Sequence, residues 1–251
     1  MTSLLHLDSS ADRSGGSVSR RLTALFARTW QSVHGTSGYR YRDLAADPVA
    51  PLESGYCSLG RRLERRGLVA PSGVGALTEG AEEAGAWAAT LPLVNELLEA
   101  DTVLIGTPMY NFSVPAALKA WIDRIGFPGA YVDPETGESL LRGTRLVVVA
   151  SRGGAYGRGT PREAWDYQIP YLRAFFDDRG VAEENMRFVT AEMTMAELVP
   201  HLARFRPVAA DSLAQARAAV VALATEALPS ATELLPDGHA GKARENGRRD
   251  A

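Results

Sequence analysis

Apolar residues in this chain follow two rhythms. Short runs at Leu4–Leu7, Tyr39–Leu44, Thr102–Gly106, Leu146–Ala150 and Arg187–Val189 have the length and composition of β-strands. The stretches between them repeat with the helical period. One helix is predicted from Val18, with Leu22, Leu25, Phe26 and Val33 along one face. A second covers Glu79–Leu98 and carries Trp87, Leu91, Val94 and Leu98, with Pro92 predicted to bend or restart it. A third covers Val114–Ile125, where Pro115 suits a first turn and Leu118, Trp121, Ile122 and Ile125 share a face. Two more are predicted over Trp165–Arg179 and Asp211–Glu226. Tyr131–Leu141 reads as a hairpin turning on Asp133-Pro134-Glu135-Thr136-Gly137. The segment Pro48–Gly75 reads as loop with a short helix over Leu59–Arg66.

Strands alternating with helices specify an α/β protein built on a parallel sheet. Five strands suit a doubly wound, flavodoxin-like sheet of order 2-1-3-4-5, with helices on both faces and ligands beyond the carboxyl ends of the strands. Residues 1–228 are expected to form this domain. Beyond Pro229 proline, glycine and charge prevail, so 229–251 is expected to be a disordered tail.

Composition narrows the function. With 251 residues, 45% hydrophobic and 23% charged, the chain is of ordinary globular make-up. A net charge of -3 argues against a nucleic-acid partner. The single cysteine, Cys57, excludes an intrachain disulfide, and no metal-ligand spacing is present. The start lacks the basic region of a signal peptide, and no apolar run nears the roughly 20 residues of a membrane span. A cytoplasmic location without membrane association is expected.

Three loops at the carboxyl edge carry unusual chemistry. The first, Ser9 to Ser19, brings Ser10, Ser14, Ser17 and Ser19 to a helix N-terminus, where hydroxyls, free amides and the helix dipole can hold a phosphate. A polar loop with Ser17 as N-cap is the plainer reading. Neither G-x-x-x-x-G-K-[ST] nor G-x-G-x-x-G occurs, which disfavours ATP and a Rossmann-bound dinucleotide. The second, Thr107 to Pro115, crowds Met109, Tyr110, Asn111 and Phe112 into a strand-to-helix turn, the chemistry of a bed for a flat aromatic ligand; core packing under the sheet edge is the alternative. The third, Ser151-Arg152-Gly153-Gly154, offers a backbone able to come close to a planar ring, or simply a flexible loop. His6, in the first strand, reads as a core residue, and no histidine belongs to a triad.

Met109-Tyr110-Asn111-Phe112 before Ala116–Arg124, together with Ser151-Arg152-Gly153-Gly154 and Ser10…Ser17-Val18-Ser19, resembles the FMN-dependent NADH-azoreductase and NADH:quinone oxidoreductase family over most of residues 3–226. The resemblance implies that Ser10, Ser17, Val18 and Ser19 bind the FMN phosphate. It implies that Met109, Tyr110, Asn111 and Phe112 grip the flavin ring, and that Ser151, Arg152, Gly153 and Gly154 lie at its pyrimidine end. It further implies NADH or NADPH as co-substrate, a small quinone or azo acceptor, ping-pong transfer of two electrons, no indispensable acid–base side chain, and a homodimer with the active site at the interface. Tyr131, Tyr156 and Phe176 are the expected acceptor-pocket residues, with Tyr110 a further candidate for orienting the acceptor. The family's apolar run near that pocket is replaced here by Phe175-Phe176-Asp177-Asp178-Arg179-Gly180, and Cys57–Ala76 is an insertion. These departures keep open a pathway-specific reductase of a polyketide-like quinone, beside the more distant alternative of a flavodoxin-type electron carrier.

Overall fold

The computed structural model describes residues 2–226. Five strands, β1 (Leu4–Asp8), β2 (Tyr39–Asp43), β3 (Thr102–Pro108), β4 (Arg145–Ser151) and β5 (Met186–Ala191), form one all-parallel sheet in the order β2-β1-β3-β4-β5. The expected order is therefore the observed one. Strands β1, β3 and β4 are buried along their whole length, as befits a sheet covered on both faces.

Helices α1 (Val18–His34) and α7 (Arg206–Thr225) cover one face. There Leu22, Phe26 and Trp30 meet Leu104, Val147, Val149 and Val220 in one core. The opposite face carries α2 (Ser54–Arg66), the short α3 (Pro71–Val74), α4 (Gly80–Leu98), α5 (Ala116–Ile125) and α6 (Ile169–Asp178) over a larger core. The inserted segment belongs to this second core. Its helix begins at Ser54, five residues earlier than predicted, because Tyr56, Leu59 and Leu63 share an inward face and pack with Trp87 and Phe127.

Helix α4 runs through Pro92 without the restart that was one of the two expectations. Burial of Trp87, Leu93, Val94 and Leu97 around the proline outweighs its missing hydrogen bond. The expected hairpin shrinks to one bridge, Val132 to Ser139, closed by Leu140 N–H donating to the Tyr131 carbonyl (2.8 Å). Asp133 Oδ1 takes the amides of Glu135 and Thr136, so the aspartate organises a turn. Helix α6 starts at Ile169, four residues after the predicted start, and α7 at Arg206, five before it. The stretch Pro200–Thr225 has the length and apolarity to cross a bilayer. Arg204, Arg206, Asp211 and Arg217 interrupt it, and Ala216, Val220 and Ala224 are buried in the α1/α7 core. The expected tail lies outside the described residues.

Gly106 shows how tightly the sheet centre is built. A Cβ there would stand 2.3 Å from Asp8 Oδ1 and 2.8 Å from Thr23 Cγ2. Both are buried and joined by the Thr23 hydroxyl donating to Asp8 (2.9 Å). Gly106→Ala is therefore expected to cost about 1–3 kcal/mol, as overpacking does. A lower denaturation midpoint at an unchanged m-value is the expected observation; an unchanged midpoint would contradict this packing.

Candidate functional site

Parallel register brings the exits of β1, β3 and β4 to one edge. Asp8 pairs with Gly106, and Pro108 with Ser151. The chain then leaves the sheet under tight control. Ser9 N–H and Oγ both donate to the Gly106 carbonyl at 2.9 Å. Met109 N–H donates to the Ser151 carbonyl (2.8 Å), and Arg152 N–H to the Ala191 carbonyl (2.8 Å).

The first loop closes on the start of α1. Ser17 is the N-cap, its hydroxyl accepting from Arg20 N–H (3.4 Å) and lying 3.2 Å from Ser19 Oγ. Ser10, Ser17 and Ser19 are all buried, and Ser10 Oγ accepts from Asp12 N–H (3.3 Å). The Val18 and Ser19 amides have no acceptor among the described residues, as expected of a first helical turn. Arg20 braces the loop from behind: its Nη2 donates to the Ser10 carbonyl (2.7 Å) and to Asp43 Oδ1 (2.6 Å). Burial opposes the Arg20 charge, but Asp43 and Asp8 outweigh it and hold the guanidinium above its usual pKa. Burial likewise opposes the Asp43 charge, yet Arg20 and the Ala45 and Ala46 amides keep that carboxyl below its usual range. His6 is buried behind them, with Nδ1 2.9 Å from Tyr39 Oη, in keeping with a core histidine.

The second loop is a strained turn. Tyr110 and Ser113 exchange both backbone hydrogen bonds at 3.0 Å, which leaves Asn111 and Phe112 as the two central residues. Both have positive φ, 47° and 73°. Asparagine tolerates this conformation, but for phenylalanine it costs on the order of 1–2 kcal/mol. The turn leaves Tyr110 and Phe112 40% and 39% exposed. It joins the first loop through the Tyr110 hydroxyl, which accepts from Ala11 N–H (3.3 Å).

The third loop is held from below by Arg152. Its side chain does not reach outward with the glycines, as a ligand-binding arginine would. It is 2% exposed and pairs with Asp166 (2.7 Å) and Glu192 (3.2 Å), with Nε directed to Gln168 Oε1 (3.4 Å). The Gly153 and Gly154 amides have no acceptor among the described residues, while their carbonyls accept from Met195 and Met193. A Cβ on Gly153 would come within 2.9 Å of Met195 Cγ.

Structure brings the serines, the Met109–Phe112 turn and the two glycines to one edge. Tyr156 joins them, its ring 6.2 Å from that of Phe112. Two expected pocket residues do not. Tyr131 and Phe176, at 2% and 1% exposure, belong to the core around α5 and α6. Tyr131 opens the segment read as a hairpin, and Phe176 lies in the predicted Trp165–Arg179 helix, whose period turns it inward. Asp177 and Asp178 are exposed, Asp178 pairs with Arg179, and Gly180 at φ +87° ends the helix. That segment is an ordinary helix terminus, which removes the observation favouring a pathway-specific reductase. Sequence reasoning missed Trp165 and Tyr167, 48% and 59% exposed beside Phe112. Their rings and backbone meet that turn: Trp165 stands 5.5 Å from Phe112, and Tyr167 N–H donates to the Phe112 carbonyl (3.0 Å). Two aromatics close to a glycine-rich loop were the available signal. A concavity of about 580 Å³, lined by Gly15, Arg20, Leu25, Leu213 and Arg217 among others, lies between α1 and α7.

Residues 2–219 match the family described as flavodoxin-like fold. An FMN-dependent NADH:quinone oxidoreductase of Nocardia farcinica is 42% identical over 82% of this chain and 90% of its own length. One from Streptomyces coelicolor is 38% identical over 90% and 95%. Among solved structures, an azoreductase from Bacillus anthracis superposes with a TM-score of 0.71 at 21% identity, covering 90% of this chain and 99% of that one. An FMN-dependent NADH-azoreductase from the same species, in complex with FMN, gives 0.67 at 22% identity over 89% and 100%.

Arg152→Met is expected to destabilise the fold by about 3 kcal/mol, the low end for breaking a buried pair, because Asp166 and Glu192 keep some water. Hydrogen exchange should rise first over residues 153–168. Uniform exchange along the chain would show that Arg152 does not anchor that segment.

Proposed function

This chain belongs to the FMN-dependent NADH:quinone oxidoreductases of flavodoxin-like fold, and from that membership we propose that it transfers two electrons from NADH, through FMN, to quinone or azo acceptors. The observation that carries this reading is the convergence of a hydroxyl-and-amide cradle, a strained aromatic turn and a Gly–Gly backbone at one sheet edge. When bound, FMN supplies the redox chemistry, accepting hydride and passing the electron pair on.

The donor set fits a monophosphate ester. Ser10, Ser17 and Ser19 offer hydroxyls, and the open Val18 and Ser19 amides point from the positive end of α1. The same cradle has no second anion site, so FMN fits it better than FAD. Met109 and the Asn111–Phe112 turn would form the bed of the ring. The Gly153 and Gly154 amides would donate to its carbonyl oxygens and stabilise negative charge there. The protein's part is thus orientation, water exclusion and hydrogen-bonding.

A homodimer completes the reading. Tyr110, Phe112, Trp165, Tyr167, Met195 and Leu198 are 39–74% exposed around or beyond the site, and a second copy would cover them and enclose it. Residues 1–228 would be the folded unit. The exposed free thiol of Cys57 suits the reducing cytoplasm, where the enzyme would act as a soluble protein.

The purified protein is expected to be yellow and to release FMN, identified by chromatography; FAD, or a colourless protein that fails to take up FMN, would overturn the reading. Ser17→Ala with Ser19→Ala should weaken FMN binding about a hundredfold or more, since hydrogen bonds to a charged acceptor contribute roughly 1.5–3 kcal/mol each. Riboflavin, which lacks the phosphate, should bind the variant and the parent nearly alike. Equal losses for the two ligands would place the phosphate elsewhere.

A further inference from the structure

The arginines that stand against the loops of the site differ in their environments. Arg20 is paired with Asp43, and Arg152 with Asp166 and Glu192. Arg162 is exposed and has no carboxylate partner among the described residues. Its guanidinium carbon lies 6.0 Å from the Tyr156 ring centroid and 5.8 Å from that of Trp165. Nη1 is 3.5 Å from Tyr156 Oη, and 3.5 Å from where a Cβ on Gly154 would stand. Phe112 completes the patch, edge-on to both aromatic rings.

A guanidinium held over two rings is fixed in orientation by cation–π attraction while its remaining N–H groups stay available. Such a patch recognises an aromatic body and a negative charge together. The rings take the flat part, and the fork takes a carboxylate, sulfonate or ionised phenol. Placement on the segment anchored by Arg152 gives the guanidinium a fixed position relative to Gly153–Gly154.

We propose that Arg162 is a specificity-determining residue that selects acceptors of one class, aromatic quinones or azo compounds bearing an anionic group. This rests on the oxidoreductase reading above and names its substrate class.

The test uses the FMN-loaded enzyme with a matched pair of acceptors, a neutral naphthoquinone and its sulfonated derivative, at fixed NADH. Arg162→Gln is expected to lower the ratio of kcat/KM, sulfonated over neutral, by at least about tenfold, and Arg162→Lys to restore part of it. A second readout needs no turnover: binding of naphthalenesulfonate to the loaded enzyme, followed by tryptophan fluorescence, should weaken by a similar factor in Arg162→Gln. An unchanged ratio with unchanged binding would overturn the proposal. So would an equal loss for both acceptors accompanied by a raised KM for NADH, which would assign Arg162 to the phosphates of the reductant. Failure of the parent enzyme to reduce either acceptor would instead overturn the oxidoreductase reading itself.

Discussion

The site depends on one buried charge. Arg152 leaves the end of β4 and turns its guanidinium beneath the loop, between Asp166 and Glu192. Without it the two carboxylates would repel each other across the gap between the 157–168 segment and the end of β5. With it, the same side chain joins the start of the third loop to the 157–168 segment and to the residue that follows β5. Buried ion pairs give modest net stability but strong geometric definition, because any misalignment leaves a charge without solvent or partner. Here that definition falls on the Gly153–Gly154 turn and on the aromatic residues that follow it.

A similar device supports the opposite end of the site. Arg20 ties the Ser10 carbonyl to Asp43, so the loop after β1 is braced from the end of β2. The sheet supplies the spacing between the two braces, and the Tyr110 hydroxyl links the loops across it. Function is thus carried by short loops whose conformations are set by polar groups hidden below them, on a scaffold stabilised mainly by apolar burial.

What could be seen in the sequence followed from periodicity and from local chemistry. The five strands and their order were legible because Leu4–Leu7, Thr102–Ile105 and Leu146–Ala150 are apolar runs too short for helices. The Met109–Phe112 turn stood out because Met, Tyr and Phe together are costly in an ordinary loop, whereas Ser10, Ser17 and Ser19 suit any polar loop or N-cap and were singled out by the family resemblance. Tyr131, in the expected hairpin, and Phe176, in a predicted helix, were misplaced because an aromatic looks alike in sequence whether it faces a pocket or a core; only the packing of α5 and α6 decides. The inward course of the Arg152 side chain was not legible. Its neighbours Asp166 and Glu192 are distant in sequence, so nothing local marks it as an inward-facing group. Helix α4 ran through Pro92 because tertiary burial, absent from any local window, outweighed one lost hydrogen bond.

The left-handed turn at Asn111 and Phe112 has a consequence for how this protein can vary. Glycine at either position would adopt the same backbone without strain, so the most stable chain is not the one observed. Retaining a bulky ring at φ 73° means that stability is held below its attainable value at the place where a flat ligand would rest. Variants selected for heat resistance alone should therefore drift toward glycine there and lose the presented ring. A chain kept under selection for its chemistry should hold the strained pair while it gains stability elsewhere.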